Sequence, residues 1–135
     1  MNTTYWKNKI MSDTFINTQN VFYVGLSSTA PDSSGEGVSE PTDGVGYARA
    51  QITSFSSPAD GVVRNGNTIA FPLSTGAWFV NGMMASYWVM FDGADSNAHV
   101  LAWGPLTNAR EIESGAQVAI GSGAIRITLH DTLQS

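Results

Sequence analysis

Five Asp-Gly or Asn-Gly dipeptides divide this chain into short segments and constrain its fold more than any other sequence feature. They are Asp43-Gly44, Asp60-Gly61, Asn65-Gly66, Asn81-Gly82 and Asp92-Gly93. Such pairs accept positive φ, which the tight turns of β-hairpins require. The segments around them predict strands over 21–26, 47–52, 68–71, 84–91 and 125–130. Short strands joined by turns indicate an antiparallel β-fold.

The predicted strands differ in how they are covered. The 21–26 run is continuously apolar, and 84–91 has bulky side chains at both odd-numbered and even-numbered positions. Both faces of these strands should therefore be covered, for 84–91 by the core and by a second layer or another chain. The 125–130 run instead alternates, with Ile125, Ile127 and Leu129 facing one way.

One stretch, 5–17, has helical spacing, and Thr3 or Thr4 could cap its start. The fold class we predict is mainly all-β, an antiparallel β-sandwich of jelly-roll-like form with one N-terminal α-helix. The expected division is a helical segment over 1–20 and one sandwich domain over 21–135. The helix either packs on one end of the domain or docks on a neighbouring subunit.

Composition restricts the function classes. The 135-residue chain has no Cys, only six Lys and Arg, and a net charge of −5, so neither disulfides nor nucleic-acid binding is expected. No run approaches the length of a membrane span, and no signal peptide is recognised, so no membrane insertion is expected. A charged fraction of 13 % is about half the usual value and favours surfaces that pack against copies of the chain.

Catalytic patterns are missing from the sequence. There is no Gly-x-Ser-x-Gly string, and His99 and His130 lack the spacing of metal ligands. Glu111 and Glu113 would lie on the same face of a strand, but the sequence around them lacks the aromatic cleft that a glycosidase needs. We therefore expect no enzymatic activity, no cofactor and no metal. Whether the acidic loops 30–44 and 92–97 bind calcium stays open.

Aromatic side chains offer a different kind of site. Trp78, Trp88 and Trp103 could stack against carbohydrate, although core packing explains most aromatic residues in strands. Trp78 follows Thr75-Gly76-Ala77 and is expected to be partly exposed. It is the candidate glycan contact.

Three strings occur in a fixed order, and together they resemble a known family. They are Phe22-Tyr23-Val24-Gly25-Leu26-Ser27-Ser28-Thr29-Ala30-Pro31, then Gly35-Glu36-Gly37-Val38-Ser39-Glu40-Pro41 with Gly46-Tyr47-Ala48-Arg49, and Asn67-Thr68-Ile69-Ala70-Phe71-Pro72. The chain resembles small bacteriophage tail fibre or minor tail proteins from about Phe22 to Leu129. The resemblance implies a β-sandwich, a structural role in the virion and no catalytic residues.

Several expectations follow from this resemblance. The protein would be made in the bacterial host cytoplasm, reside in the phage tail, and assemble with copies of itself and with other tail proteins. The alternative is a receptor-binding or glycan-binding domain at a fibre tip, with a bacterial surface glycan as its partner. Fibre, baseplate and other positions in the tail stay open.

Two of the shared residues suggest a structural contact. Arg49 would face the same side of the predicted strand 47–52 as Tyr47 and Gln51. Glu40 lies in the long polar loop that leads to this strand. The hypothesis is that Arg49 pairs with Glu40 and pins this loop, with Pro41 stiffening the approach.

Overall fold

The structure is a computed structural model that describes residues 3–17, 21–41, 44–79 and 83–128. It consists of one helix followed by short strands, all of which pair antiparallel. The elements are α1 (Thr4–Phe15), β1 (Phe22–Ser27), β2 (Ala50–Ile52), β3 (Val62–Arg64), β4 (Ile69–Ala70), β5 (Ala85–Phe91), β6 (Val100–Arg110), β7 (Ala119–Ile120) and β8 (Arg126–Thr128). The prediction of a mainly β, antiparallel fold with one N-terminal helix is confirmed.

The largest sheet has four strands in the order β2-β1-β5-β6. Val24 at its centre pairs with Ala50 on one side and with Met90 on the other. β3 pairs with β8, and β4 pairs with β7, in two further sheets of two strands each. Each small sheet therefore joins the middle of the chain to its C-terminal part.

The core lies against one face of the four-stranded sheet. Because side chains alternate along a strand, Val24, Leu26 and Trp88 point to the same face, and all are buried. Ile69 from β4 and Ile120 from β7 belong to the same cluster. The small sheets thus form the layer that encloses the core on its other side.

The opposite face of the sheet is covered by the β1–β2 loop, residues 28–49. Ser39 N–H donates to Ser27 Oγ at 2.9 Å, and Ser28 N–H donates to the Ser39 carbonyl at 3.0 Å. Val89 on this face is fully buried and Phe91 is 3 % exposed. The two-sided cover predicted for β1 and β5 is present, and its second half comes largely from a loop of the same chain.

The helix is fixed at both ends. Thr3 caps it, with its hydroxyl accepting from Trp6 N–H at 3.2 Å. Phe15 in its last turn packs against Phe22 and Phe55, with ring centroids 5.3 and 5.0 Å away. Among the described residues, no helix is long and apolar enough to cross a membrane. The division into segments 1–20 and 21–135 stays a prediction.

Only some of the Gly dipeptides form the expected turns. Asp60 and Gly61 both have positive φ, 53° and 74°, and Ala59 and Val62 exchange backbone hydrogen bonds across them. Gly66 and Gly93 lie outside the left-handed region, so the expected positive φ is absent at both, although Gly93 does lie in the connection between β5 and β6. Asn65 is instead 1 % exposed and used as a buried hydrogen-bonding group. Asn81-Gly82, Asp43 and the predicted end of the last strand at 129–130 lie outside the described residues.

Candidate functional site

The structure brings together Glu40 and Arg49, two residues of the β1–β2 loop. Arg49 donates to both carboxylate oxygens, from Nη2 to Oε1 at 2.7 Å and from Nε to Oε2 at 3.0 Å. The side chains are 9 % exposed for Arg49 and 22 % for Glu40. This two-point geometry is the strong form of an ion pair.

Arg49 also reaches a second part of the chain. Its Nη1 donates to the carbonyl oxygens of Gly93 at 3.2 Å and Asp95 at 2.7 Å, both in the β5–β6 turn. The guanidinium carbon lies 3.5 Å from the centroid of the Phe91 ring, a cation–π contact. One side chain therefore joins the loop, strand β5 and the turn after it.

Tyr47 completes the cluster at the edge of the sheet. Its hydroxyl donates to Glu40 Oε2 and accepts from the Leu26 backbone N–H at 3.2 Å. Continuing the β1–β2 register past Val24 and Ala50 would place residue 48 beside Leu26. The predicted strand over 47–52 starts only at Ala50, and the tyrosine hydroxyl takes the position of the missing strand partner.

Gly25 makes room for this cluster. A Cβ at position 25 would lie 2.5 Å from Tyr47 Oη and 2.7 Å from Glu40 Oε2. Only glycine permits this close approach of side chains to the strand. The cluster defined by Glu40, Tyr47 and Arg49 therefore depends on a glycine in the buried centre of β1.

Burial and charge shift the proton equilibria of the cluster. Burial raises the pKa of the Tyr47 phenol well above its usual range, and the neighbouring Glu40 carboxylate raises it further. Burial lowers the pKa of Arg49, but the hydrogen bond and the charge of Glu40 outweigh that effect and leave the pKa raised. The phenol stays neutral and the guanidinium stays charged at physiological pH.

The chemistry available to this cluster is structural. Both oxygens of Glu40 already accept hydrogen bonds from Arg49 or Tyr47. A carboxylate held in this way is poorly placed to act as a general base toward an external substrate. What the arrangement does is hold the β1–β2 loop against the sheet.

Trp78 does not lie at the surface, and the expectation of partial exposure is wrong. The side chain is fully buried, and its indole N–H donates to the Val45 carbonyl at 2.9 Å. The Tyr47 and Phe71 rings pack edge-on against it at 5.2 and 6.2 Å. Its position in the core leaves no face for a glycan.

Trp103 is the exposed tryptophan of the sheet. It is 39 % exposed on β6, and its ring lies 5.6 Å from Tyr87 in an edge-to-face pair. Leu101 on the same strand is 45 % exposed. The signal in the sequence is Pro105, because proline within a strand favours the edge of a sheet.

The histidine and acidic candidates form no larger site. His99 Nδ1 lies 3.0 Å from Asp92 Oδ2 in the exposed β5–β6 turn. A backbone hydrogen bond from His99 and the contact with its ring lower the pKa of Asp92. Among the described residues, no group of three or more His, Cys, Asp and Glu side chains could hold a metal ion. His130 lies outside those residues.

Comparison with known proteins decides the family. The model of the family described as "Podophage GP4 fiber I protein gp80" matches residues 1–128. The chain belongs to this fiber I family. The resemblance to phage tail fibre proteins is thereby confirmed, and membership places the chain among virion tail proteins that associate with other phage proteins. No curated protein matches the sequence.

The fiber I family match also covers every residue of the cluster. Glu40, Tyr47 and Arg49 come from the same motif strings that carried the resemblance. The structure gives these strings a physical meaning, because they build the contact that fixes the loop to the sheet.

Proposed function

We propose that this chain is a non-catalytic fibre subunit that associates with further copies of itself and with other tail proteins. The observation that carries the proposal is the family match over residues 1–128. The Glu40 cluster supports the non-catalytic part, since its polar groups are engaged with one another and with the backbone. The subunit would be synthesised in the host cytoplasm before it joins the virion.

The surface that supports self-association is the exposed apolar part of β5 and β6. Leu101 and Trp103 lie on β6, and Trp103 contacts Tyr87 on β5. Aromatic side chains are enriched in protein interfaces, where their area is removed from water. Pro105 removes a backbone donor from the middle of β6, which favours contact through side chains over strand-to-strand pairing.

The experiment is light scattering behind a sizing column over a range of protein concentrations. We expect an oligomer for the natural sequence and a shift toward monomer for Trp103→Ser. Leu73→Ser is the matched control, because Leu73 is also exposed, at 54 %, but lies outside the sheet. A monomer at every concentration, or equal effects of both substitutions, would contradict self-association through this surface.

Glycan binding is a second candidate function, now without Trp78 as its contact. The observation that favours it is a cavity of about 220 Å³ beside an irregular stretch of β6, lined in part by Trp88, Leu106, Asn108 and Arg110.

A further inference from the structure

The sequence holds two Asn-Gly pairs, and the structure describes one of them, Asn65-Gly66. This dipeptide is chemically labile in an unfolded chain, because glycine has no side chain to hinder attack of its backbone nitrogen on the preceding amide. The Gly66 nitrogen forms a bond to Cγ of Asn65, and the bond from Cγ to Nδ2 breaks. Ammonia leaves with the proton of the Gly66 N–H, and water then opens the resulting succinimide to aspartate or isoaspartate.

The fold holds the Asn65 amide at every polar atom. The residue is 1 % exposed, and its Nδ2 donates to the carbonyl oxygens of Asn67 and Gly121, each at 2.9 Å. Its Oδ1 accepts from Ile125 N–H at 2.8 Å. Ring closure would have to turn this amide and break these hydrogen bonds where almost no water can replace them.

The attacking nitrogen is held as well. Gly66 N–H donates to the Ser54 carbonyl at 2.9 Å, so it is directed away from any reaction with its neighbour. A Cβ at position 66 would lie 2.6 Å from Ser54 Oγ, and a larger residue would have to displace that hydroxyl. The packing of Ser54 therefore favours glycine here and keeps the labile pair in the chain.

The deamidated product does not fit the same site. Hydrolysis puts an oxygen in place of Nδ2, facing the carbonyl oxygens of Asn67 and Gly121 with no proton to share at neutral pH. A buried carboxylate that faces hydrogen-bond acceptors is strongly unfavourable. Isoaspartate also adds a backbone carbon between residues 65 and 66, which changes the position of the Gly66 N–H relative to Ser54.

We propose that Asn65 is a deamidation site that folding closes. The folded subunit keeps its amide, whereas a chain that stays unfolded converts Asn65 to aspartate or isoaspartate and then cannot rebuild the native contacts. Prolonged unfolding thus becomes irreversible through a covalent step. This inference depends on neither the assembly nor the glycan binding considered above.

The test compares deamidation of the natural chain in buffer and in guanidinium chloride, at the same neutral pH and temperature. Peptide mass mapping follows Asn65 with time. We expect the rate in buffer to be lower by about a hundredfold or more, since about one native chain in a thousand or fewer is unfolded at any moment. Ala98→Gly is the control, because it places a glycine after Asn97, which is exposed. In this variant Asn97 should deamidate at comparable rates in both solutions.

A second measurement tests the product itself. Asn65→Asp should fail to fold at neutral pH, or should unfold at a much lower urea concentration than Asn97→Asp, which adds the same charge at an exposed position. Deamidation of Asn65 in buffer as fast as in guanidinium chloride would overturn the protection by folding. Equal urea midpoints for the two substitutions would overturn the irreversibility.

Discussion

At the scale of single residues, Arg49 connects more of the molecule than any other side chain of the cluster. Arg49→Leu leaves the Glu40 carboxylate largely buried without its partner, and removes the donors to the β5–β6 turn. We expect the free energy of unfolding to fall by about 3 kcal/mol, the lower end for a broken buried pair because Glu40 is partly exposed. Urea unfolding measures the loss, and limited proteolysis should show faster cleavage within residues 28–49.

Two comparisons sharpen this prediction. Arg126→Leu removes an arginine of the exposed face of β8 and should change neither measurement appreciably. Glu40→Leu combined with Arg49→Leu should recover part of the stability, because no unpaired charge then stays buried. Unchanged cleavage kinetics for Arg49→Leu would show that the pair does not pin the loop.

The Tyr47 phenol gives a prediction about alkaline pH. Its pKa is raised in the folded state above the unfolded value of 10.0, so the folded chain holds its proton at a pH where the unfolded chain has lost it. The resulting stabilisation is complete below about pH 10 and decreases as the pH rises further. The loss of unfolding free energy per pH unit should increase from near zero at about pH 9 toward about 1.4 kcal/mol above about pH 11, where the unfolded phenol is deprotonated.

Urea unfolding between about pH 9 and 11 measures this slope. Tyr47→Phe should unfold more easily at neutral pH, because Leu26 N–H and Glu40 lose a partner, yet lose less stability as the pH rises. Tyr5→Phe is the control, since Tyr5 is an exposed residue of the helix and is not part of the cluster. Parallel pH profiles for the natural chain and Tyr47→Phe would contradict the assignment.

At the scale of elements, Asn65 ties the two small sheets together. Its Oδ1 accepts from Ile125 N–H at 2.8 Å, just before β8, and its Nδ2 donates to the Gly121 carbonyl at 2.9 Å, just after β7. Asn65→Ala should lower the free energy of unfolding by about 1–3 kcal/mol, since a buried N–H loses its acceptor. Urea unfolding is the measurement, with exposed Asn97→Ala as the control. Equal midpoints for the two variants would contradict this role.

The burial of Asn65 could not be predicted from the sequence. Asn65-Gly66 and Asp60-Gly61 both permit positive φ, but only the second pair forms the turn. The dipeptide sequence indicates only which backbone torsions are allowed. The burial of Asn65 depends on residues 121–125, which are distant in the sequence and form hydrogen bonds with its side chain. The runs 21–26 and 84–91 were predictable because bulky apolar residues occupy both odd and even positions in each, and β1 and β5 lie there.

β6 and Trp78 were missed for related reasons. Gly104 and Pro105 argue against a strand interior, but an edge strand tolerates both, and β6 is at the edge. The residues around Trp78 resemble a turn, while its burial depends on Tyr47 and Phe71, which come from elsewhere in the chain. The pairing of Glu40 with Arg49 could be predicted from their opposite charges and from the position of Glu40 in the loop. The hydrogen bond between Tyr47 and the Leu26 backbone could not, because it depends on where the pairing of β1 with β2 ends.

At the scale of the whole molecule, the charge of the chain predicts how salt affects assembly. Copies with a net charge of −5 repel one another, and salt screens this repulsion. Contact through Tyr87, Leu101 and Trp103 is apolar and does not weaken on screening. We therefore expect the average mass at a fixed protein concentration to rise with sodium chloride and to rise further with sulfate, which strengthens apolar burial. Light scattering at low and high salt is the measurement.

For Trp103→Ser the rise should be smaller, because less apolar area is available to bury. A mass that falls as salt is added would mean that ion pairs hold the copies together, and Lys7, Lys9 and the arginines would replace the apolar face as the candidates for the contact.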